Sequence, residues 1–97
     1  MKKPSLYPSE RICWVCKTPL NVEQHHIFKS SRRSISDREG ATIFLCHEHH
    51  QGRMGVHNDS KFDAWLKADC QRRWQEREGA TADEFRAVFY SSYLDEE

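Results

Sequence analysis

The stretch Cys46-His47-Glu48-His49-His50 holds one cysteine and three histidines, the side chains most typical of zinc sites, within five positions. It follows residues 41–45, whose β-branched and aromatic side chains predict a strand. The stretch itself predicts a short helix, which Gly52 and Gly55 are expected to end. A strand that leads directly into a metal-binding helical turn is therefore expected at the centre of the fold.

A second pair of candidate ligands, Cys13 and Cys16, lies upstream. Two ligands spaced by two residues can bind one ion from a single turn, and Cys46 and His49 have the same spacing. These four side chains predict a structural zinc (Zn²⁺) site of the Cys3His type, with 29 residues between the two pairs. His50 is an alternative to His49 as the fourth ligand.

Other uses of the cysteines fit the sequence less well. A redox Cys-x-x-Cys pair needs a strand-helix-strand context, which residues 1–50 lack. A two-Cys, two-His finger needs about 12 residues between its second Cys and first His. Only 8 residues separate Cys16 from His25. Cys70 falls on the apolar face of a predicted helix and is interpreted as a core residue.

The composition supports one small domain that needs stabilisation beyond its core. The chain has 97 residues, of which 37% are apolar, and a structural zinc site contributes on the order of 10 kcal/mol to folding. No apolar run approaches the ~20 residues of a membrane span, and Pro4 and Ser5 follow the first lysines where a signal peptide would be apolar. We therefore expect a cytoplasmic protein without a membrane partner.

Charge is distributed unevenly along the chain. Residues 1–57 carry nine basic and five acidic side chains, whereas residues 58–97 carry six and ten. Four of the basic side chains lie in residues 29–40, a predicted loop, and are candidate contacts to the phosphate backbone of DNA. An ordinary solvated loop is the alternative. The four candidates are Lys29, Arg32, Arg33 and Arg38.

His25 and His26 are adjacent on a strand predicted over residues 22–28. Neighbouring side chains of a regular strand point to opposite faces, so both cannot ligate one ion there. One histidine could bind a metal while the other acts on water. A solvent-exposed pair on an edge strand is the alternative, and His50 and His57, which follow the second strand, weigh against it.

Together, Cys13-x-x-Cys16, His25-His26-Ile27 and Leu45-Cys46-x-x-His49-His50 resemble the zinc-knuckle subgroup of the HNH (ββα-metal, His-Me finger) endonucleases. From Gly55-Val56-His57-Asn58 onward the chain is similar to small phage-encoded members, including Ref-like recombination nucleases. The resemblance covers nearly the whole chain. It implies an α+β fold: a small ββα-metal core with a structural zinc knuckle and a C-terminal helical pair.

The resemblance also implies an activity, the metal-dependent hydrolysis of DNA phosphodiester bonds. His26 matches the general base that activates water. His25 and His50 match ligands of one catalytic divalent cation, expected to be Mg²⁺ or Mn²⁺, and His57 is the candidate third ligand. A phage-encoded enzyme of this kind would act in the host cytoplasm, as a monomer or dimer, with a recombination or packaging protein as a candidate partner.

Two positions depart from the family pattern. Ala41 stands where the family has its middle asparagine, so a backbone carbonyl across the hairpin is expected to orient His26 instead. Met54 stands where many relatives place another ligand, which is why His57 is the candidate.

The predicted organisation is a single domain in three stretches. Residues 1–10 are a flexible N-terminal arm, residues 11–57 are the zinc knuckle and nuclease core, and residues 58–97 are helices packed on that core. Ser60 with Asp63 resembles a capping box at the start of the first of these helices, which Gly79 is expected to end, and Thr81 with Glu84 predicts the start of the second. Two other functional classes fit the same motifs: a non-catalytic, zinc-stabilised module that binds nucleic acid, and an interaction protein whose acidic helices bind a partner.

Overall fold

The computed structural model describes residues 2–53 and 55–94. The elements run in the order β1 (Val22–His26), α1 (Arg33–Glu39), β2 (Thr42–Cys46), α2 (His47–His50), α3 (Ser60–Glu78) and α4 (Ala82–Phe89), with a 3-10 turn at Ser30–Arg32 before α1. This is an α+β arrangement, which confirms the predicted fold class at that level. Among the described helices, none has the length and apolar character needed to cross a membrane.

β1 and β2 pair as an antiparallel two-stranded sheet. The register places Val22 opposite Cys46 and His26 opposite Thr42. Burial along β1 does not follow a strict alternation: Val22 and His25 are buried, Gln24 is exposed, and Glu23 and His26 are half-buried. Both predicted strands are confirmed, although β1 ends two residues earlier than predicted and β2 begins and ends one residue later.

The prediction of a loop over residues 29–40 is wrong, because this segment contains the 3-10 turn and α1. The Ser36 hydroxyl donates to the Phe28 carbonyl at 2.7 Å and accepts from the Phe28 N–H at 3.0 Å, which fixes α1 to the end of β1. Gly40 ends the helix at a φ of 82°. Since a polar residue, Ser36, makes the anchoring contact and Ile35 is the one buried apolar residue of α1, no apolar periodicity indicates this helix.

α2 is a single helical turn that directly follows β2. The His47 N–H donates to the Asn21 carbonyl at 2.9 Å, so the start of the helix is fixed to the residue before β1. Beyond α2 the chain folds back, and the N–H of His57 donates to the His50 carbonyl at 3.1 Å. The predicted short helix is confirmed, and it begins one residue after Cys46.

α3 and α4 are the two helices predicted for the C-terminal part. The Asp59 carboxylate caps α3 by accepting from two backbone N–H groups of its first turn. The predicted capping box at Ser60 is therefore wrong, because Ser60 is already the first helical residue. Gly79 ends α3 as predicted, and the capping box of Thr81 and Glu84 at the start of α4 is confirmed.

Aromatic side chains join the C-terminal helices to the sheet. Phe85 and Phe89 stack with ring centroids 4.3 Å apart, and Phe28, just after β1, lies 4.9 Å from Phe89. Cys70 is fully buried in the same core, as interpreted from the sequence, and burial raises the pKa of its thiol to about 12. Tyr93 follows α4 and lies 5.3 Å from the Phe28 ring.

The N-terminal segment has neither helix nor strand in residues 2–10, but it contacts the rest of the domain. The Leu6 N–H donates to the Gly40 carbonyl at 2.9 Å. The Tyr7 ring is buried, and its hydroxyl donates to Asp69 of α3 at 2.6 Å. The sequence analysis predicted a flexible arm here, because a single buried tyrosine produces no recognisable pattern in the sequence.

Glu39 connects the N-terminal segment, α1 and α3. Its carboxylate accepts hydrogen bonds from Lys3 at 2.8 Å and from the indole of Trp74 at 3.1 Å. Burial alone would raise the pKa of the Glu39 carboxyl, but hydrogen bonds from Lys3, Trp74 and Arg38 outweigh burial and hold this pKa at about 2. A charged carboxylate is therefore part of the folded core.

Candidate functional site

Three elements bring together the four predicted zinc ligands. Cys13 and Cys16 come from the turn before β1, Cys46 ends β2, and His49 lies in α2. One ligand atom from each lies within 4.8 Å of all the others. The structure therefore forms a Cys/His cluster that could hold a metal ion. The cluster contains His49 rather than the alternative, His50.

The spacing of the four ligand atoms fits zinc. With Zn–S bonds of about 2.3 Å and a Zn–N bond of about 2.0 Å, a tetrahedral site places neighbouring ligand atoms roughly 3.5 to 3.8 Å apart. The Cys16 and Cys46 sulfurs are 3.8 Å apart, and Nδ1 of His49 is 3.7 Å from the Cys13 sulfur and 3.3 Å from that of Cys46. The donor set and the distances both suit a closed, four-ligand site.

Backbone geometry holds the first two cysteines in place. The Lys17 N–H donates to the Cys13 carbonyl at 2.9 Å, and Lys17 has a φ of 67°, which closes the turn. Burial disfavours ionisation of Cys13, but backbone N–H groups of Cys16, Cys46 and Val15 outweigh it and lower its pKa to about 6. A turn that favours a thiolate is suited to a metal ligand.

A second cluster lies on the other side of α2. His25 from β1, His50 from α2 and His57 from the returning chain each offer a ring nitrogen within 4.8 Å of the other two. The Nε2 atoms of His50 and His57 are 3.0 Å apart, and the His25 ring centroid is 5.0 Å from that of His50. Three imidazoles converge here, and two of them, His25 and His50, are buried.

Glu23 holds one side of this histidine cluster. Its two carboxylate oxygens lie 2.7 Å from Nδ1 of His50 and 3.2 Å from Nδ1 of His47. Hydrogen bonds from His50 and then His47 lower the pKa of Glu23, so the carboxylate remains charged. A carboxylate that accepts from Nδ1 leaves Nε2 of His50 available toward the cluster. The sequence analysis missed Glu23, although its place on β1 opposite Leu45 sets it beside α2.

His25 has a buried nitrogen that the rest of the described chain leaves unpaired. Its Nε2 makes no hydrogen bond within residues 2–53 and 55–94, and the residue is 2% exposed. Burial, reinforced by the charges of His50 and His57, lowers the pKa of His25 to about 3, so the ring is neutral. A neutral imidazole with a free, buried nitrogen beside two other imidazoles has the chemistry of a metal ligand.

His26 is not part of the three-histidine cluster but lines the same open pocket, of about 280 Å³. Its Nε2 lies 3.6 Å from a carboxylate oxygen of Asp37 in α1, close enough for charge attraction and longer than a hydrogen bond. The expected contact to a backbone carbonyl across the hairpin does not occur among the hydrogen bonds of the described residues. Asp37 was missed because it lies in the segment predicted as a loop.

The four predicted nucleic-acid contacts are not equally placed. Lys29 and Arg33 line the pocket with the histidines, and the Lys29 amine is 3.1 Å from Nδ1 of His57. Arg32 donates to the Tyr93 hydroxyl at 3.3 Å, one side of a neighbouring pocket. Arg38 pairs instead with Glu39, at 3.0 Å.

Three predictions include residues that the structure does not describe. Met54, the departure from the family's ligand position, lies outside the described residues, as do residue 1 of the predicted N-terminal arm and residues 95–97 of the predicted C-terminal stretch.

Comparison with family models, with curated proteins and with solved structures found no match. The HNH resemblance therefore remains a prediction that rests on this chain's own residues.

Proposed function

We propose that this protein is a metal-dependent endonuclease of the HNH type, with a structural zinc at Cys13, Cys16, Cys46 and His49 and a second, catalytic cation at His25, His50 and His57. His26 is the general base in this proposal. DNA is the proposed substrate, contacted through its phosphates.

The observation that carries the proposal is the division of α2 between two clusters. His49 faces the cysteines, and its neighbour His50 faces two other histidines. One ion is enough to stabilise a small domain, so a second set of three imidazoles, one with an unpaired buried nitrogen, needs a different explanation. A catalytic ion is the explanation that also accounts for His26 in the same pocket.

In the proposed reaction, the residues around the pocket have separate roles. Asp37 attracts a proton to Nε2 of His26, which leaves Nδ1 free to accept a proton from water. Lys29 and Arg33 supply positive charge at the edge of the pocket, where they would attract the phosphate. When bound, a divalent cation supplies Lewis-acid stabilisation of the phosphate and of the departing 3′ oxygen. The products would carry 5′ phosphate and 3′ hydroxyl ends.

The donor set bears on which ion would bind at the histidine cluster. Three imidazole nitrogens suit ions such as Zn²⁺ and Ni²⁺, whereas Mg²⁺ prefers oxygen ligands and retains several waters. Of the two ions expected from the family resemblance, Mg²⁺ therefore suits these residues poorly. The assay for activity has to include transition-metal ions.

The test is cleavage of supercoiled plasmid by the zinc-loaded protein with Mg²⁺, Mn²⁺, Ni²⁺ or no added ion. Wild type is compared with His26→Ala and with Glu48→Ala, a control on α2 whose side chain is exposed and lies outside both clusters. We expect metal-dependent nicking or linearisation by wild type and by Glu48→Ala, and a loss of at least 100-fold in His26→Ala.

Zinc content and circular dichroism establish that each variant is folded. Equal cutting by wild type and His26→Ala would contradict the assigned base. If no variant cuts DNA or RNA while all of them retain it in a gel shift, the protein is a nucleic-acid-binding module instead.

A further inference from the structure

We infer that a second pocket, beside the histidines, binds a backbone phosphate that flanks the cleaved one. The pocket has a volume of about 260 Å³ and lies between the 3-10 turn and α3. Its lining residues are Phe28, Lys29, Ser31, Arg32, Lys67 and Tyr93. This inference rests on the proposed function, because the flanking phosphate belongs to the same nucleic-acid strand.

Three cationic side chains line this pocket, and they come from distant parts of the sequence. Lys29 and Arg32 come from the segment after β1, and Lys67 comes from α3, in the acidic half of the chain. A hydroxyl group, that of Ser31, lies in the same lining. Three cationic side chains and a hydroxyl are the groups that proteins use to contact phosphate oxygens without reading base sequence.

The local partners of these cations leave donors available. Arg32 directs one nitrogen to the Tyr93 hydroxyl at 3.3 Å, and a guanidinium has five N–H groups. Lys67 pairs with Asp63 at 2.9 Å, one turn earlier on α3, and an ammonium group has three donors. Each cation is therefore positioned by a neighbour and retains N–H groups for a ligand.

The ring of Tyr93 favours a phosphate over a stacked base as the ligand. It packs against Phe28 with centroids 5.3 Å apart, and the Lys67 amine lies 5.8 Å from the ring centroid. An aromatic platform that binds bases needs an open face. Here the ring supports the cations, which are the groups that contact the ligand.

Lys29 connects this pocket to the proposed site of cleavage. It lines both pockets, and its amine is 3.1 Å from Nδ1 of His57. A strand whose cleaved phosphate lies among the histidines therefore passes Lys29 before it reaches Arg32 and Lys67. Lys67 is the new residue in this path, since the sequence of α3 indicates only a charged helix.

The experiment measures binding in a His26→Ala background, so that the probe stays intact. Fluorescence anisotropy with labelled duplex and single-stranded DNA compares this parent with Lys67→Ala and with Lys61→Ala. Lys61 is an exposed lysine on the same helix, six residues away, so its removal changes the net charge equally. Each Kd is measured over a series of salt concentrations.

We expect Lys67→Ala to weaken binding roughly three- to tenfold at low salt, and Lys61→Ala to change it less than twofold. The slope of log K against log salt should fall by about 0.9 for duplex and about 0.7 for single-stranded DNA in Lys67→Ala alone. The same loss is expected on RNA of matched sequence, because the phosphodiester is the group contacted.

The outcomes separate the two proposals. If the parent binds and the two lysine variants have equal affinities and equal salt slopes, the flanking subsite is overturned while the nuclease proposal stands. If the wild type cuts no nucleic acid and the parent binds none, the proposed function fails, and the subsite fails with it.

Discussion

The two clusters on either side of α2 use different donors and differ in how complete they are. The Cys3His cluster has four ligand atoms at the spacing of a closed tetrahedron, three of them sulfur. The histidine cluster has three nitrogens and opens into a pocket with His26 and basic side chains. Closed four-ligand sites are typical of structural zinc, whereas catalytic sites retain an open position. Under the proposed function, this contrast would give the Cys3His cluster a structural role and the histidine cluster a catalytic one.

The sharpest test of this contrast is loss of a cysteine ligand. Cys46→Ser should remove zinc and unfold most of the domain, because structural zinc contributes on the order of 10 kcal/mol. Zinc content and thermal unfolding by circular dichroism measure the effect. Cys70→Ala is the matched control, a buried cysteine outside the clusters. The contrast fails if Cys46→Ser retains the fold and stoichiometric zinc.

Loss of a histidine ligand should weaken binding of the second ion and leave the fold and the zinc content unchanged. His25→Ala is expected to weaken Ni²⁺ or Mn²⁺ binding to the second cluster at least 100-fold, since it removes one of three donors, while zinc content and circular dichroism stay unchanged. Isothermal titration calorimetry on the zinc-loaded protein measures the affinity, with Glu48→Ala, an exposed position of α2 outside both clusters, as control. A variant that loses both ions would show that the two clusters are not separable.

Substitution of Glu23 should have an intermediate effect on the affinity for the second ion. Glu23→Ala leaves Nδ1 of His50 without its acceptor, so affinity for the second ion is expected to fall about 10- to 100-fold. The same titration measures it, and the Cys3His zinc should be unaffected. An unchanged affinity would mean that the carboxylate does not orient the ligand.

The smallest effect is expected at Asp37, whose carboxylate pairs with Lys2 and lies beside His26 but touches neither cluster. Asp37→Ala should lower the cleavage rate roughly three- to tenfold with both metal affinities unchanged, because the exposed contact at 3.6 Å positions the ring only weakly. Asp37→Asn, whose amide oxygen can also accept a hydrogen bond from Nε2 of His26, should recover part of the rate. Single-turnover cleavage measures both, and a change in ion affinity would contradict this role.

Short-range patterns in the sequence predicted much of the fold. Pairs spaced by two residues predicted the Cys3His ligands, and the capping box of Thr81 with Glu84 predicted the start of α4. The choice between His49 and His50 was not decidable from spacing, because neighbours on a helical turn differ by about 100° in direction. The position of β1 beside α2 decides it, and that is a long-range property.

The features of the fold and of the site that the sequence analysis did not predict have a common physical cause. The Ser36 hydroxyl anchors α1. The N-terminal segment is held by the buried Tyr7 ring and by hydrogen bonds such as that from Lys3 to Glu39, so neither segment shows apolar periodicity. Glu23 and Asp37 are ordinary charged residues until the fold places them beside His50 and His26. The positions of these residues depend on polar contacts between distant segments, which local sequence patterns do not reveal.

Because α2 is only four residues long, ions bound at the two clusters would be coupled thermodynamically. A single turn of helix is too short to be stable alone, so its order depends on what its side chains bind. Zinc at His49 would fix the backbone that also carries His50, and the second ion would then bind without the entropic cost of ordering that turn. By reciprocity, occupancy of the histidines would tighten zinc binding by the same factor. Ions at the two clusters would therefore bind cooperatively.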